Sequence, residues 1–171
     1  MKTLKAVGTS FQNDNWKNLF EEDTNLINCN IKLVPEYDKI YLQIGYIYDR
    51  KNDETRALDY FRRGLQLNPS ELNTYILIGD IYFKRNQMNL ARRYYEKALS
   101  INPVYPNGLL GLAKIHFQKE EYIKAIVLFK SIDTSADYDK SLHFYYAESS
   151  FKLGDYRKAA EEYEKLLSFR N

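Results

Sequence analysis

Residues Asp38 to Glu71 read DKIYLQIGYIYDRKNDETRALDYFRRGLQLNPSE, and the chain then repeats the pattern. Against Leu72 to Tyr105, Tyr41 aligns with Tyr75, Gly45 with Gly79 and Tyr48 with Tyr82. Further on, Ala57 aligns with Ala91, Phe61 with Tyr95 and Pro69 with Pro103. The offset is 34 residues without a gap. A period of that length marks an array in which every unit is one supersecondary element. Within the unit, Tyr41, Ile44, Gly45 and Tyr48 are spaced i, i+3, i+4, i+7, one face of a helix. The polar run Arg50 to Glu54 interrupts it, and Asn52 can take the left-handed conformation that ends a helix; Asn86 and Gly154 hold the same slot. A second helix follows through Ala57, Leu58, Phe61, Gly64 and Leu65 and stops before Pro69, whose ring and missing N–H oppose continuation. Each unit is therefore a hairpin of two short helices. Either helix alone is marginal in water, so its apolar stripe must be buried by a neighbour.

Two further units keep the register. Residues 106–139 supply Leu109, Leu112, Ala113 and His116, then Ala125 and Phe129; residues 140–171 supply His143, Tyr146, Ala147 and Ser150, then Ala159 and Tyr163. Gly45, Gly79, Ala113 and Ala147 share one position, and Ala57, Ala91, Ala125 and Ala159 another. Small residues that recur in step let helices approach to the near end of the usual 8–10 Å spacing, and are expected to let neighbouring hairpins nest. Residues 1–13 are polar, without period, and are expected to form a loose tail. Residues 14–37 are expected to form a capping helix or a degenerate repeat: Trp16, Leu19, Phe20, Leu26, Ile27 and Ile31 fall on one stripe. Lys32-Leu33-Val34-Pro35 echoes Gln66-Leu67-Asn68-Pro69, but Asp23 stands where a small residue is expected.

These residues resemble tetratricopeptide repeats, whose pattern W-x2-L-G-x2-Y, then A-x3-F, then P spans one such period. Tyr41-x2-Ile44-Gly45-x2-Tyr48 and Tyr75-x2-Ile78-Gly79-x2-Tyr82 carry the first part, and the match runs from Asp38 to Asn171. The departures are local. Asp137 stands where the third unit's Pro is expected, Ile132 where earlier units have Gly64 and Ala98, and His143 and Ser150 where aromatics are usual. An altered packing angle or a longer second helix is expected at that junction. The resemblance implies an all-α fold, a right-handed superhelix of about four hairpins (an α-solenoid) with an N-terminal capping helix. The units are 38–71, 72–105, 106–139 and 140–171.

The resemblance also implies that first helices line a concave groove that binds extended or helical segments of other proteins. Its residues here are Leu42, Tyr46 and Arg50 from the first unit and Asn73, Ile76, Asp80, Phe83 and Lys84 from the second. Asn107, Leu110, Lys114 and Phe117 come from the third, and Phe144, Glu148 and Phe151 from the fourth. Phe83, Phe117 and Phe151 form a ladder that suits the apolar face of a partner helix, or that packs against the next repeat. Two or three such anchors, each worth about 1.5–3 kcal/mol, would give micromolar binding. The chain's own tail, residues 1–13, is an alternative occupant. A family subgroup clamps chaperone C-terminal carboxylates with Lys, Asn and Arg. At those positions only Lys114 has the right charge and Asp80 would repel a carboxylate, so that ligand is not expected.

Composition sets the remaining bounds. Twenty-five basic and 23 acidic residues leave a net charge of +2, with no reason to expect nucleic acid as partner. Arg62-Arg63 and Arg92-Arg93 read as a salt-paired convex face, and Glu120-Glu121 and Glu161-Glu162 as loop and surface residues. Cys29 is the only cysteine, which rules out an internal disulfide. His116 and His143 have no second ligand at helical spacing, so core roles are expected and no metal or cofactor. No nucleophile motif, phosphate loop or buried acid pair points to catalysis. No apolar run is long enough to span a membrane, and residues 1–15 lack a signal-peptide core. A cytoplasmic location is expected; an exported protein without its targeting segment would read the same. Tyr156, Tyr163, Leu166, Leu167 and Phe169 are expected to leave an apolar C-terminal edge, shielded by Glu162, Lys165 and Arg170 or open to self-association. The function expected is a non-enzymatic adaptor holding a partner peptide or amphipathic helix in the groove. The alternative is an oligomerisation or assembly module acting through its terminal edges.

Overall fold

The computed structural model describes residues 37–132 and 140–169, which form eight helices and no strand. In chain order these are α1 (Tyr37–Arg50), α2 (Glu54–Leu67), α3 (Leu72–Lys84) and α4 (Met88–Ile101), then α5 (Pro106–Gln118), α6 (Tyr122–Ser131), α7 (Lys140–Lys152) and α8 (Tyr156–Ser168). The expected capping helix, the tail and Cys29 lie outside the described residues. Consecutive helices pair as hairpins, and each hairpin stacks on the next through α2 and α3, α4 and α5, and α6 and α7. The first helices also meet directly, α3 with α5 and α5 with α7.

The turn inside each hairpin is built the same way. Asn52, Asn86, Glu120 and Gly154 adopt φ of 58°, 59°, 59° and 80°. The N–H of the next residue donates to the carbonyl five back: Asp53 to Tyr48, Gln87 to Tyr82, Glu121 to His116 and Asp155 to Ser150. This is the bonding of a helix C-terminus closed by a left-handed residue. Glu120 is the exception in type, since a glutamate in this conformation is strained by about 1–2 kcal/mol. Glu120→Gly is expected to raise stability by about 0.5–1 kcal/mol, the relief exceeding glycine's added chain entropy. A urea midpoint that falls would contradict this.

The small residues act in two ways, one of which differs from expectation. A Cβ at Gly45 would lie 2.5 Å from the Phe61 ring, and one at Gly79 would lie 2.5 Å from the Tyr95 ring. These glycines admit a ring from the second helix of their own hairpin, so they close the hairpin rather than nest it on its neighbour. Nesting between hairpins falls to Gly108, facing Leu99 at 2.9 Å, and to Gly111, facing Tyr95 at 2.6 Å. The Ala57, Ala91, Ala125 and Ala159 series is buried throughout.

The third unit corrects a second expectation. Its second helix is shorter, ten residues in α6 against 14 in α2 and in α4. A Cβ at Gly64 would already touch the α1 backbone, 3.4 Å from the Asp38 carbonyl oxygen. Ile132 holds that register position and cannot fit there as part of a helix. The chain instead leaves the helix at Ile132 (φ −82°, ψ 123°), and its side chain enters the core beside Phe129, Leu142 and Tyr146.

The fourth unit replaces an aromatic pair with charge. Tyr41 meets Tyr60 in the first unit, with ring centroids 6.2 Å apart. Two and three units on, the same positions hold Leu109 with Leu128 and His143 with Glu162. Glu162, expected on the surface, is 1% exposed. His143 Nδ1 lies 2.6 Å from it, and Lys158 and Lys165 donate to it at 2.8 and 2.9 Å. Burial acts to raise the Glu162 pKa, but bonds from Lys158, His143 and Lys165 outweigh it and hold the pKa at about 2.

Candidate interaction groove

The 34-residue period brings equivalent positions of α1, α3 and α5 side by side, and an open groove of about 390 Å³ runs across them. Leu42, Ile76 and Leu110, one register position, form its apolar floor together with Leu77 and Gly111. Its polar lining is Gln43, Tyr46, Asn73, Asp80, Asn107 and Lys114. The volume falls within the range of ligand pockets, about 300–1,000 Å³.

The polar residues are held from below. Tyr95 is fully buried, its ring wedged between Gly79 and Gly111, and its hydroxyl donates to Asp80 Oδ1 at 2.7 Å. Burial and the Asp80 carboxylate push the Tyr95 hydroxyl far above its ordinary pKa, so it remains a donor. The fourth unit repeats the device: the Tyr163 hydroxyl donates to Glu148 Oε1, and burial with the Glu148 charge pushes its pKa up to about 12. Phe61 and Phe129 hold that ring position in the first and third units, where the facing residues are Tyr46 and Lys114. At this register position a carboxylate thus stands only where the ring beneath carries a hydroxyl. The Tyr105 hydroxyl donates to Asn73 Oδ1, tying α3 to the start of α5. Lys114 Nζ lies 5.7 Å from the Tyr145 ring centroid, a distance at which a cation is drawn to an aromatic face.

Of the residues expected in the groove, Leu42, Tyr46, Asn73, Ile76, Asp80, Asn107, Leu110 and Lys114 line this stretch over α1, α3 and α5; Arg50, Phe83, Lys84, Phe117, Phe144, Glu148 and Phe151 lie beyond it. Two members of the phenylalanine ladder, Phe83 and Phe117, are half-buried by packing within the chain. Phe83 lies against the core of the first two hairpins. Phe117 is edge-on to Tyr122 and Tyr145, at 5.7 and 5.1 Å. Phe144 and Phe151 remain largely exposed, the latter at 52%, on the fourth unit. Lys84 pairs with Asp49 at 3.2 Å across the first two units.

Gln43, Leu77 and Gly111 line the groove in addition to the residues the sequence points to. A signal for Gly111 was present, since Gly108 and Gly111 stand one helical turn apart on a single helix and so mark a close approach. His116 contacts Glu121 at the end of its own hairpin turn. Among the described residues no group of His, Cys, Asp and Glu is placed to hold a metal. Among them, no helix is long and apolar enough to cross a membrane.

Stacked helical hairpins with a groove along their first helices define an α-solenoid, an all-α repeat superhelix. Family models for the tetratricopeptide repeat match residues 38–71 and 141–168, and one for the TPR repeat matches 79–120. The chain belongs to the tetratricopeptide-repeat family, a family that generally mediates contacts between proteins. Solved structures agree in fold. MamA is 17% identical, with 82% of each chain covered and a TM-score of 0.63. The pilF protein of Pseudomonas aeruginosa is 19% identical over 79% of this chain and 62% of its own, with a TM-score of 0.71. A thermophilic repeat protein of Thermus thermophilus is 17% identical over 78% of this chain and 74% of its own, with a TM-score of 0.66. None of the curated proteins matches the chain.

Proposed function

We propose that this chain is a non-enzymatic adaptor that holds a short segment of another protein in the groove over α1, α3 and α5. The observation that carries the reading is the composition of that groove. Leu42, Ile76, Leu77 and Leu110 offer an apolar floor. The carboxamides of Gln43, Asn73 and Asn107 each bring donors and an acceptor, which match the peptide groups of a bound segment. Asp80 beside Lys114 sets a direction, because a segment entering reversed places its own charges against like charges.

Tyr46 is the expected anchor. It is 44% exposed, so its truncation touches binding more than folding, and tyrosines are enriched among residues that dominate interface energy. Tyr46→Ala is expected to weaken partner binding about tenfold or more with a small change in thermal midpoint. Isothermal titration against the partner segment measures this, and unchanged affinity would move the binding site elsewhere.

Assembly through the ends is a second reading, favoured by the exposure of Tyr156 and Leu167 on α8. It requires sedimentation to show association at micromolar concentration, abolished by Leu167→Lys and untouched by Tyr46→Ala.

A further inference from the structure

The outer face of α1 is apolar and open. Ile40 is 48% exposed and Ile47 51% exposed. At the same register in later units, Thr74, Gly108 and Leu142 are buried, as are Ile81, Ile115 and Ser149. In those units a preceding second helix provides the cover: Leu99 of α4 stands 2.9 Å from where a Cβ of Gly108 would be, and Tyr95 stands 2.6 Å from that of Gly111. The first helix of an array that ends there would carry polar residues on this face. Instead α1 carries the sequence of an interior helix.

Thirty-six residues precede Tyr37, enough for one 34-residue unit. Shifting α2 and α4 back by the period lands on residues 20–33. In that frame Ile27 takes the place of Phe61 and Tyr95, and Ile31 takes the place of Leu65 and Leu99. Pro35 takes the place of Pro69 and Pro103, just past the helix end. A segment joined directly to α1 also reaches this face at high effective concentration, which a separate molecule does not.

We propose that the chain's own residues 20–33 cover α1, with Ile31 against Ile40 and Ile27 beside Gln43. This inference is independent of what the groove binds. Its consequence for the groove is mechanical: α1 carries Leu42, Gln43 and Tyr46, and the cover fixes that wall.

The test is a disulfide in the full chain. With Cys29→Ala as background, the pair Ile31→Cys and Ile40→Cys brings two Cβ atoms within bonding range, about 3.5–4.5 Å, if the registers match. Mild oxidation is expected to give an intramolecular bond in most molecules. The pair Ile31→Cys and Tyr46→Cys, the latter facing the groove, is expected to give less than a tenth as much. A disulfide-linked dimer would assign the face to a second copy and overturn the proposal, as would equal yields from the two pairs or none from either. A second readout avoids engineered thiols. Ile31→Asp is expected to speed hydrogen exchange of α1 amides at least tenfold while leaving those of α5 unchanged, and unchanged α1 exchange would overturn the proposal.

Discussion

Replacing Tyr95 with alanine is expected to lower folding stability by about 3–5 kcal/mol, the range for emptying a large aromatic from a core. The ring is fully buried and sits between Gly79 of its own hairpin and Gly111 of the next. No side chain can collapse into the space, because both walls are helix backbone without a Cβ. The loss would be a large part of the 5–15 kcal/mol typical of a native domain. Tyr95→Phe separates the ring from its hydroxyl. Phe61 and Phe129 show that phenylalanine fits this position, so only the bond to Asp80 is removed, at about 1.5 kcal/mol for a bond to a charged acceptor. Urea unfolding measures both. Equal losses for the two variants would mean that the bond to Asp80, and not the wedge between glycines, holds the hairpins together.

The second large effect concerns acid. Glu162 has its pKa held at about 2 in the folded chain, against 4.5 for the ordinary side chain. A carboxyl whose folded pKa is depressed contributes stability above its unfolded value and loses it as pH falls toward the folded one. The contribution is about 3 kcal/mol near neutrality, present above pH about 4.5 and nearly gone at pH about 2. Glu162→Gln keeps the shape and removes the charge. The variant is expected to be about 3 kcal/mol less stable than the parent at pH 7, within the cost of breaking a buried pair. The two stability curves should converge as pH drops from about 4.5 to about 2. Curves that stay parallel through that window would show that the Lys158, His143 and Lys165 contacts contribute no net stability.

Both residues show what the sequence discloses and what it conceals. The hairpins are legible because close packing demands small residues at fixed intervals, and Gly45, Gly79 and the alanine series supply them in step. Asn52, Asn86 and Gly154 are legible as helix ends because asparagine and glycine tolerate a positive φ; Glu120 is not, because there the array imposes the turn on a residue that resists it. Glu162 reads as surface because it lies in a charged run, Glu161 to Lys165. Only its register with Tyr60, and that of His143 with Tyr41, reveals that an aromatic contact has become a hydrogen-bonded histidine–carboxylate pair. Leu42, Ile76 and Leu110 on the groove floor share one register position, which the family resemblance implies for the groove; Leu77 and Gly111 do not. Phe117 is harder to read, since the Tyr122 and Tyr145 rings that pack edge-on against it come from other helices.

The central claim is that a partner segment lies over α1, α3 and α5. The most direct measurement places a photo-cross-linking residue at Asn73, in the groove, and separately at Asn89, exposed on α4, then irradiates the full chain in its native cell. A discrete protein adduct from position 73 and none from position 89 is the expected result. An adduct from position 89 alone would place the partner on the second helices and contradict the account.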